Sequence, residues 1–197
     1  MLEKKSIFNY LIIYFSVGKN TLINIYLKNK LPEENSKANE FANANFMSKI
    51  KKKNEYANFH MFFWMCSNSN IIETPKTFFK DSYCLVYVFD LSNIDTLYEL
   101  KKVLEILNNS QDYLKVLEQD FPLFIIGNKS DIKDNNINIT KEEIMQLCSP
   151  IQSLKFVEYY EISAKNFDKV KEVFEIIENK TYEYYNYFHD TLHPFLF

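Results

Sequence analysis

The chain has 197 residues, of which 47% are hydrophobic and 25% charged, and a formal net charge of −3. This length is typical of one soluble domain that buries a sizeable core without disulfides or bound metals. The slightly negative charge argues against a nucleic-acid-binding protein, which would carry a basic surface.

The cysteines and the apolar runs further restrict the class of protein to which the chain can belong. Cys66, Cys84 and Cys148 are isolated, which predicts a reducing compartment and no disulfide framework. With three histidines they form no zinc-binding spacing, so we predict no metal cluster. No apolar run approaches the ~18 residues of a transmembrane helix. The segment 1–15 has the lysines and apolar core of a signal peptide, but no small-residue cleavage site follows. We interpret it as a first strand of a cytoplasmic protein.

Apolar runs alternate with amphipathic segments along the chain. They predict a strand over 7–13, a helix over 21–30 and a two-stranded hairpin around Asn54 and Glu55. The elements predicted next are a loop through Asn70, a short helix near Phe78, a strand over 84–90, a helix carrying Leu97, Leu100, Val103, Leu104 and Leu107, a strand over 122–127, a helix from Thr140 to Cys148, a strand over 156–162 and a helix capped by Asn166. Buried strands that alternate with helices indicate a parallel sheet covered on both faces.

The only two glycines of the chain lie at or shortly after the ends of two predicted strands. Gly18 lies in "YFSVGKNTL" and Gly127 in "IIGNKSD", and each stands beside an Asn/Lys pair. In sheets of this kind ligands bind at the carboxyl ends of the strands. Both glycines are therefore expected at the ligand-binding edge of the sheet.

Two short motifs follow the last two predicted strands. They are "NKSD", Asn128 to Asp131, and "EISAK", Glu161 to Lys165. Here the chain resembles the Rab branch of the Ras superfamily of small GTPases, whose guanine-reading motifs are NKxD and ExSAK. The stretch "FFKDSYCLVYVFDLSN" is also similar to that family. The resemblance implies an α/β fold of the P-loop NTPase type, with a six-stranded, mostly parallel sheet and about five flanking helices, which binds GTP or GDP.

The resemblance implies that Asp131 recognises the guanine base. Guanine presents an N1 hydrogen and a 2-amino group side by side, and one carboxylate accepts both. Adenine lacks this donor pair, and a site built on such bonds rejects the wrong base strongly. The resemblance also implies that Asn128 braces the loop and contacts the imidazole edge of the base. It implies that the stems of Lys129 and Lys165 cover the two faces of the ring. The Ala164 N–H would donate to the guanine carbonyl, and Ser163 would support the loop.

The phosphate-binding consensus, G-x-x-x-x-G-K-[ST], is only partly present. The corresponding segment, 13–20, reads I-Y-F-S-V-G-K-N. Gly18 and Lys19 are retained, so a lysine and a helix start remain for an anion. Ile13 replaces the first glycine, and Phe15 replaces a small residue. Asn20 replaces the Ser/Thr that binds Mg²⁺, and its amide oxygen is a weaker ligand. The alternative is a plain strand-to-helix turn that binds no phosphate.

The two switch regions depart further from the family. The family's "WDTAGQE" corresponds to "WMCSNSN", 64–70. Met65 replaces the aspartate of the magnesium shell, Asn68 the phosphate-sensing glycine and Ser69 the water-orienting glutamine. The magnesium-binding threonine of the first switch falls near Phe41. The chain also has no arginine to stabilise the transition state. We therefore predict no catalytic residues, no metal ligands, weak or absent Mg²⁺ binding, and a pseudo-GTPase.

The end of the chain, "TYEYYNYFHDTLHPFLF", is aromatic. We divide the chain into a GTPase-like domain, 1–180, and an extension, 181–197, that either binds a partner or packs on its own domain. No cysteine follows Cys148, so no direct lipid anchor is predicted at the C-terminus. The leading hypothesis is a Rab-like nucleotide-binding protein that acts through protein partners in vesicle traffic and is recruited to membranes through a partner. The alternatives are a GTPase that needs a partner for hydrolysis and a nucleotide-free scaffold.

Overall fold

A computed structural model describes residues 4–14, 18–31, 45–54, 57–66, 82–109, 122–133, 138–149 and 157–187. In these ranges the chain forms one six-stranded sheet. The strands are β1 Lys4–Tyr14, β2 Asn45–Asn54, β3 Ala57–Cys66, β4 Ser82–Asp90, β5 Leu123–Asn128 and β6 Val157–Glu161. The helices are α1 Lys19–Lys28, α2 Asp95–Asn109, α3 Lys141–Cys148 and α4 Phe167–Tyr187, with a 3-10 turn at Ser130–Ile132.

The strand order is β2-β3-β1-β4-β5-β6. β1 lies between β3 and β4 and is parallel to both, while β2 is antiparallel to β3. The pairing continues in parallel through β5 and β6. The expected α/β fold with a mostly parallel six-stranded sheet is thus confirmed, and the hairpin supplies the antiparallel strand. The loop through Asn70 and the short helix near Phe78 lie outside the described residues.

Two apolar cores cover the two faces of the sheet. Alternate residues of β4 and β5 point to opposite faces, as the period of a strand requires. One core joins Leu85, Tyr87, Phe89, Leu123 and Ile125 to buried residues of α2 and α3. The other joins Cys84, Val86, Val88, Phe124 and Ile126 to buried residues of α1 and α4. Burial on both faces explains why these strands are continuous apolar runs.

The ends of α1 are set by two left-handed residues. Gly18 caps the N-terminus with φ of 92°, and Asn29 caps the C-terminus with φ of 55°. The Asn29 N–H donates to the Ile25 carbonyl at 2.8 Å. Glycine and asparagine adopt this conformation at the least cost. The helix therefore begins and ends two residues before the limits expected from its apolar pattern.

Side-chain caps begin α3 and α4 as expected. The Glu143 N–H donates to Thr140 Oγ1 at 3.2 Å, and the Thr140 N–H donates to Glu143 Oε2 at 2.8 Å. The Lys169 N–H donates to Asn166 Oδ1 at 3.0 Å. α4 continues to Tyr187, so the first part of the aromatic segment extends the last helix. Among the described residues, no helix is both long enough and apolar enough to cross a membrane.

Gly127 is required by packing. A Cβ atom at this position would stand 2.9 Å from Leu91 Cγ and Cδ2 and 3.1 Å from Phe89 Cζ. Contacts below 3.0 Å force a neighbour to move, and both neighbours are fully buried. A side chain here would therefore push β5 away from the turn that follows β4.

Glu178 is a buried carboxyl on the inner face of α4. Its exposed fraction is 4%, and it lies beside the buried Ile177 and Thr181. Burial raises the pKa of Glu178 from an ordinary 4.5 to about 8. The side chain is therefore mostly protonated at neutral pH in the folded protein, whereas it is ionised in the unfolded chain.

We expect the Glu178→Gln variant to become progressively more stable than the wild type as pH rises. Because the folded-state pKa is raised, the proton stabilises the wild-type fold fully below about pH 4.5, and this contribution is lost as pH approaches 8. Glutamine has no such proton to lose. The difference in unfolding free energy should grow by at most about 1.4 kcal/mol per pH unit. Denaturant titrations at pH 5, 6.5 and 8 measure it.

The matched control is Glu175→Gln, at an exposed position of the same helix. Its stability should follow the wild type at all three pH values. If the unfolding free energies of Glu178→Gln and the wild type differ by the same amount at all three pH values, Glu178 is ionised in the folded protein.

Candidate nucleotide site at the carboxyl ends of the strands

The parallel sheet brings the two base-reading motifs together. Asp90, the last residue of β4, pairs with Asn128, the last residue of β5, and Gly127 pairs with Glu161 in β6. The segment after each strand therefore emerges at the same edge of the sheet. Gly18 lies at this edge too, because β1 neighbours β4. The three segments thus lie side by side, although Gly18 and Lys165 are more than a hundred residues apart in the sequence.

Asn128 connects three segments. Its side chain is 1% exposed, and its Oδ1 accepts the Ala164 N–H at 3.2 Å. A Cβ atom on Gly18 would stand 3.0 Å from Asn128 Nδ2, so the start of α1 packs directly on this amide. The loop-bracing role expected for Asn128 agrees with this geometry. The N–H of Ala164, which the resemblance assigns to the guanine carbonyl, donates here to Asn128.

Asp131 lies in the 3-10 turn after β5 and is exposed. Ser163 Oγ donates to its Oδ1 at 2.6 Å, and Lys165 Nζ lies 2.6 Å from its Oδ2. These bonds from Lys165 and Ser163 hold the pKa of the Asp131 carboxyl below its usual value. The group is an ionised acceptor at neutral pH, which is the state that a pair of guanine donors requires.

Backbone bonds fix the two loops against each other. The Ile162 N–H donates to the Gly127 carbonyl at 2.8 Å, and the Ser130 N–H donates to the Ile162 carbonyl at 3.1 Å. The Lys165 N–H donates to Ser163 Oγ at 3.1 Å. Ser163 thus supports both its own loop and Asp131, as the resemblance implies.

Lys129 has a backbone in the left-handed region, with φ of 64°. Its Nζ lies 2.6 Å from Oδ2 of Asp90, a carboxyl that is 6% exposed. Burial alone would raise the pKa of Asp90, but hydrogen bonds from Lys129 and Ser92 outweigh it and hold the pKa below its usual value. The sequence alone assigns no role to Asp90, because its partner follows a different strand.

Glu161 is held by residues on both sides. Lys133 Nζ lies 2.7 Å from Glu161 Oε1 and 3.0 Å from Oε2. The Tyr159 hydroxyl donates to Oε1 at 2.7 Å. Lys133 is a second residue that the motifs do not single out. The ion pair ties the end of β6 to the turn after β5.

The phosphate-loop positions are described in part. Residues 15–17 lie outside the described ranges, whereas Gly18, Lys19 and Asn20 lie within them. Gly18 caps α1 without a side-chain bond, and its carbonyl accepts the Leu22 N–H at 2.9 Å. A helix N-terminus of this kind suits an anion. The start of α1 thus lies next to the loops that carry the two motifs.

Asn20 carries a side-chain oxygen at the start of α1. Its Oδ1 is buried and has no hydrogen-bond partner within the described part of the chain. Amide oxygens are acceptable ligands for Mg²⁺. No group of three or more His, Cys, Asp or Glu side chains in the described ranges could hold a metal ion. Met65 belongs to β3, and Phe41, Asn68 and Ser69 lie outside the described residues.

Comparison with known proteins agrees with this geometry. Residues 11–183 match the Ras family. The chain belongs to the Ras family. It is 29% identical over 147 residues to the Ras-related protein RabN1 of Dictyostelium discoideum, which covers 72% of this chain and 67% of that protein. It is 25% identical over 166 residues to the Ypt/Rab-type GTPase avaA of Emericella nidulans, covering 82% and 75%. The match to the Ypt/Rab-type GTPase ypt7 of Schizosaccharomyces pombe is 23% over 181 residues, covering 89% and 82%.

These relatives make the chain a Rab-like member of the Ras superfamily, which confirms the resemblance drawn from the two motifs. Members of the family bind guanine nucleotides and Mg²⁺ in general, and Rab proteins act with protein effectors.

Proposed function

We propose that this Rab-like protein binds GTP or GDP through Asn128, Lys129, Asp131, Ser163, Ala164 and Lys165 on the base and Gly18, Lys19 and Asn20 on the phosphates. The observation that carries the proposal is the Asp131 carboxylate, ionised, exposed and held by Ser163 at 2.6 Å. The backbone bonds between the two motif loops hold that carboxylate in a fixed place. This preorganisation favours one base edge over others.

Asp131→Asn should weaken guanine nucleotide binding and create xanthine nucleotide binding. The carboxylate accepts two hydrogens from guanine, whereas asparagine presents a donor to the 2-carbonyl of xanthine. The affinity for guanine nucleotides should fall at least about ten-fold, because the two donors of the base lose the carboxylate that accepts both of them. Titration of both labelled diphosphates against wild type and variant measures it.

The matched control is Asp95→Asn, which changes an exposed carboxylate in the first turn of α2. It should leave both affinities unchanged, and neither variant should lower the melting temperature appreciably. Guanine binding that survives Asp131→Asn intact would make the motif a structural relic. Wild-type protein that binds no guanine nucleotide, and releases none on denaturation, would favour the scaffold function.

We propose further that hydrolysis is slow or absent and that Mg²⁺ binding is weak. Asn20 offers a single amide oxygen. By the resemblance, Met65 stands where the family has an aspartate, and a thioether is a poor ligand for a hard cation. Ser69 is too short to orient water as the family's glutamine does. No catalytic residue and no metal ligand are therefore assigned.

Single-turnover release of phosphate from GTP should not exceed the uncatalysed rate. The reason is the absence of a water-orienting side chain and of an arginine that could stabilise the transition state. Lys19→Ala is the control, because it removes the lysine that matches the phosphate-binding consensus. Phosphate release by the wild type that this substitution abolishes would instead support a working GTPase.

Removal of Mg²⁺ should change the affinity for labelled GDP by less than ten-fold, or about 1.4 kcal/mol. In an ordinary family member the ion bridges protein and phosphates, so chelation weakens binding strongly. Paired titrations with Mg²⁺ and with a chelator give the ratio. A ten-fold or larger loss on chelation would mean that a full metal site exists.

The cellular part of the proposal rests on the Rab-like membership alone, since fold does not fix function. We propose a cytoplasmic protein that acts through protein partners in membrane traffic and reaches membranes through a partner. We also propose that 1–180 is the GTPase-like domain and 181–197 an aromatic extension. The family match extends to residue 183, and α4 to Tyr187.

A further inference from the structure

Asp90 is a buried carboxylate with donors on both oxygens. Ser92 donates to Oδ1 from its backbone N–H at 2.9 Å and from Oγ at 2.6 Å. Lys129 Nζ lies 2.6 Å from Oδ2. The Asp90 backbone is fixed as well, since its N–H donates to Thr96 Oγ1 at 2.9 Å and its carbonyl accepts the Asn93 N–H at 2.9 Å. The carboxylate is therefore a rigid anchor point.

Lys129 is anchored at both ends of its side chain. Its backbone sits in the left-handed region, with φ of 64° and ψ of 37°, which a lysine adopts only when the surroundings impose it. Its neighbour Asn128 is held by β5, and the Asn128 carbonyl accepts the Leu91 N–H at 2.9 Å. At the far end, Asp90 holds the ammonium. The aliphatic stem between these two points has little freedom left.

The second lysine of the pocket is different. Lys165 has a side chain that is 79% exposed, against 39% for Lys129, and its partner Asp131 is itself an exposed residue. Ion pairs this exposed contribute little and break readily. The Lys129–Asp90 pair has a carboxylate side chain only 9% exposed. Breaking that pair would leave a buried charge unpaired. The Lys129–Asp90 pair is thus the more buried of the two pairs.

We propose that Asp90 is a positioning residue of the base pocket, which holds the Lys129 ammonium so that the Lys129 stem forms a preformed wall for the guanine ring. The inference rests on the nucleotide binding proposed above and adds to it a residue outside both motifs. A stem that is already ordered loses no rotamer freedom when the base stacks on it. A ligand dissociates more slowly from a wall of this kind.

The test is a double-mutant cycle with Asp90→Asn, Lys129→Met and the double variant. Asparagine keeps the shape of Asp90 without its charge, and methionine keeps an apolar stem without the ammonium. The dissociation rate of labelled GDP should rise about ten-fold in each single variant, as for about 1.4 kcal/mol of lost positioning. If Asp90 acts through Lys129, the double variant should dissociate no faster than either single variant.

Thermal unfolding of the same proteins separates positioning from a merely structural role. Lys129→Met leaves the Asp90 carboxylate buried without its cation, so its melting temperature should fall, and the added Asp90→Asn should restore part of the loss. The matched control is Glu172→Gln, which breaks the exposed pair of Glu172 with Lys169, at 3.0 Å, in α4. It should change neither dissociation nor melting temperature. Additive effects of the two substitutions on the dissociation rate would overturn the inference.

A measurement on nucleotide-free protein tests the anchor itself. Lys129 should react more slowly with an amine-acylating reagent in the wild type than in Asp90→Asn, as followed by peptide mass spectrometry. Equal reactivity would overturn the inference. Wild-type protein that binds GDP, with a dissociation rate unaffected by Asp90→Asn, would overturn it while leaving the proposed function intact. Wild-type protein that binds no guanine nucleotide would overturn the proposed function and, with it, the role of Asp90 toward the base.

Discussion

The buried amide of Asn128 is the contact on which the candidate site depends. It accepts the Ala164 N–H and lies against Gly18, so a single side chain sets the spacing between the start of α1, the end of β5 and the loop after β6. A buried amide must satisfy its polar atoms, because an unpaired one costs about 1–3 kcal/mol. That requirement keeps the three segments in register. Asp131 follows three residues after Asn128, so its position is fixed by the same contacts.

The two glycines support these contacts in different ways. Gly18 needs its conformation, since φ of 92° is strained for any residue with a side chain, and it also needs the space beside Asn128. Gly127 needs only space, because Leu91 and Phe89 stand where its Cβ would be. In a chain with so few glycines, both lie where the backbone must approach a neighbour closely. Both positions adjoin Asn128, which ties glycine usage to the site.

Most of the fold could be predicted from the sequence because its strands are buried on both faces. Continuous apolar runs such as 84–90 are typical of strands buried on both faces, and their alternation with helices favours a parallel sheet. Boundaries were harder to predict. The start of α1 is set by the left-handed Gly18 next to Asn128, which is a tertiary contact, whereas its apolar pattern begins only later.

The candidate site divides in the same way. Asn128, Asp131 and Ser163 are predictable, because they stand in short motifs directly after strands. Asp90 and Lys133 are not predictable, because each contacts a residue of another loop. Asp90 and Lys129, for example, are 39 residues apart in the sequence. Only the strand order places those loops side by side. Sequence spacing carries local roles, whereas supporting contacts follow from topology.

The charges of the pocket decide what a bound base would have to displace. Asp131 is paired with the largely exposed Lys165, and exposed pairs of this kind contribute little to stability. Guanine offers the same carboxylate two donors, so the exchange costs little. In the Lys129–Asp90 pair the carboxylate side chain is 9% exposed and the lysine side chain 39%, so breaking the pair would leave a largely buried carboxylate without its cation, which costs more than breaking an exposed pair. Binding should therefore move Lys165 and leave Lys129 in place, which gives the pocket one fixed face and one adjustable face.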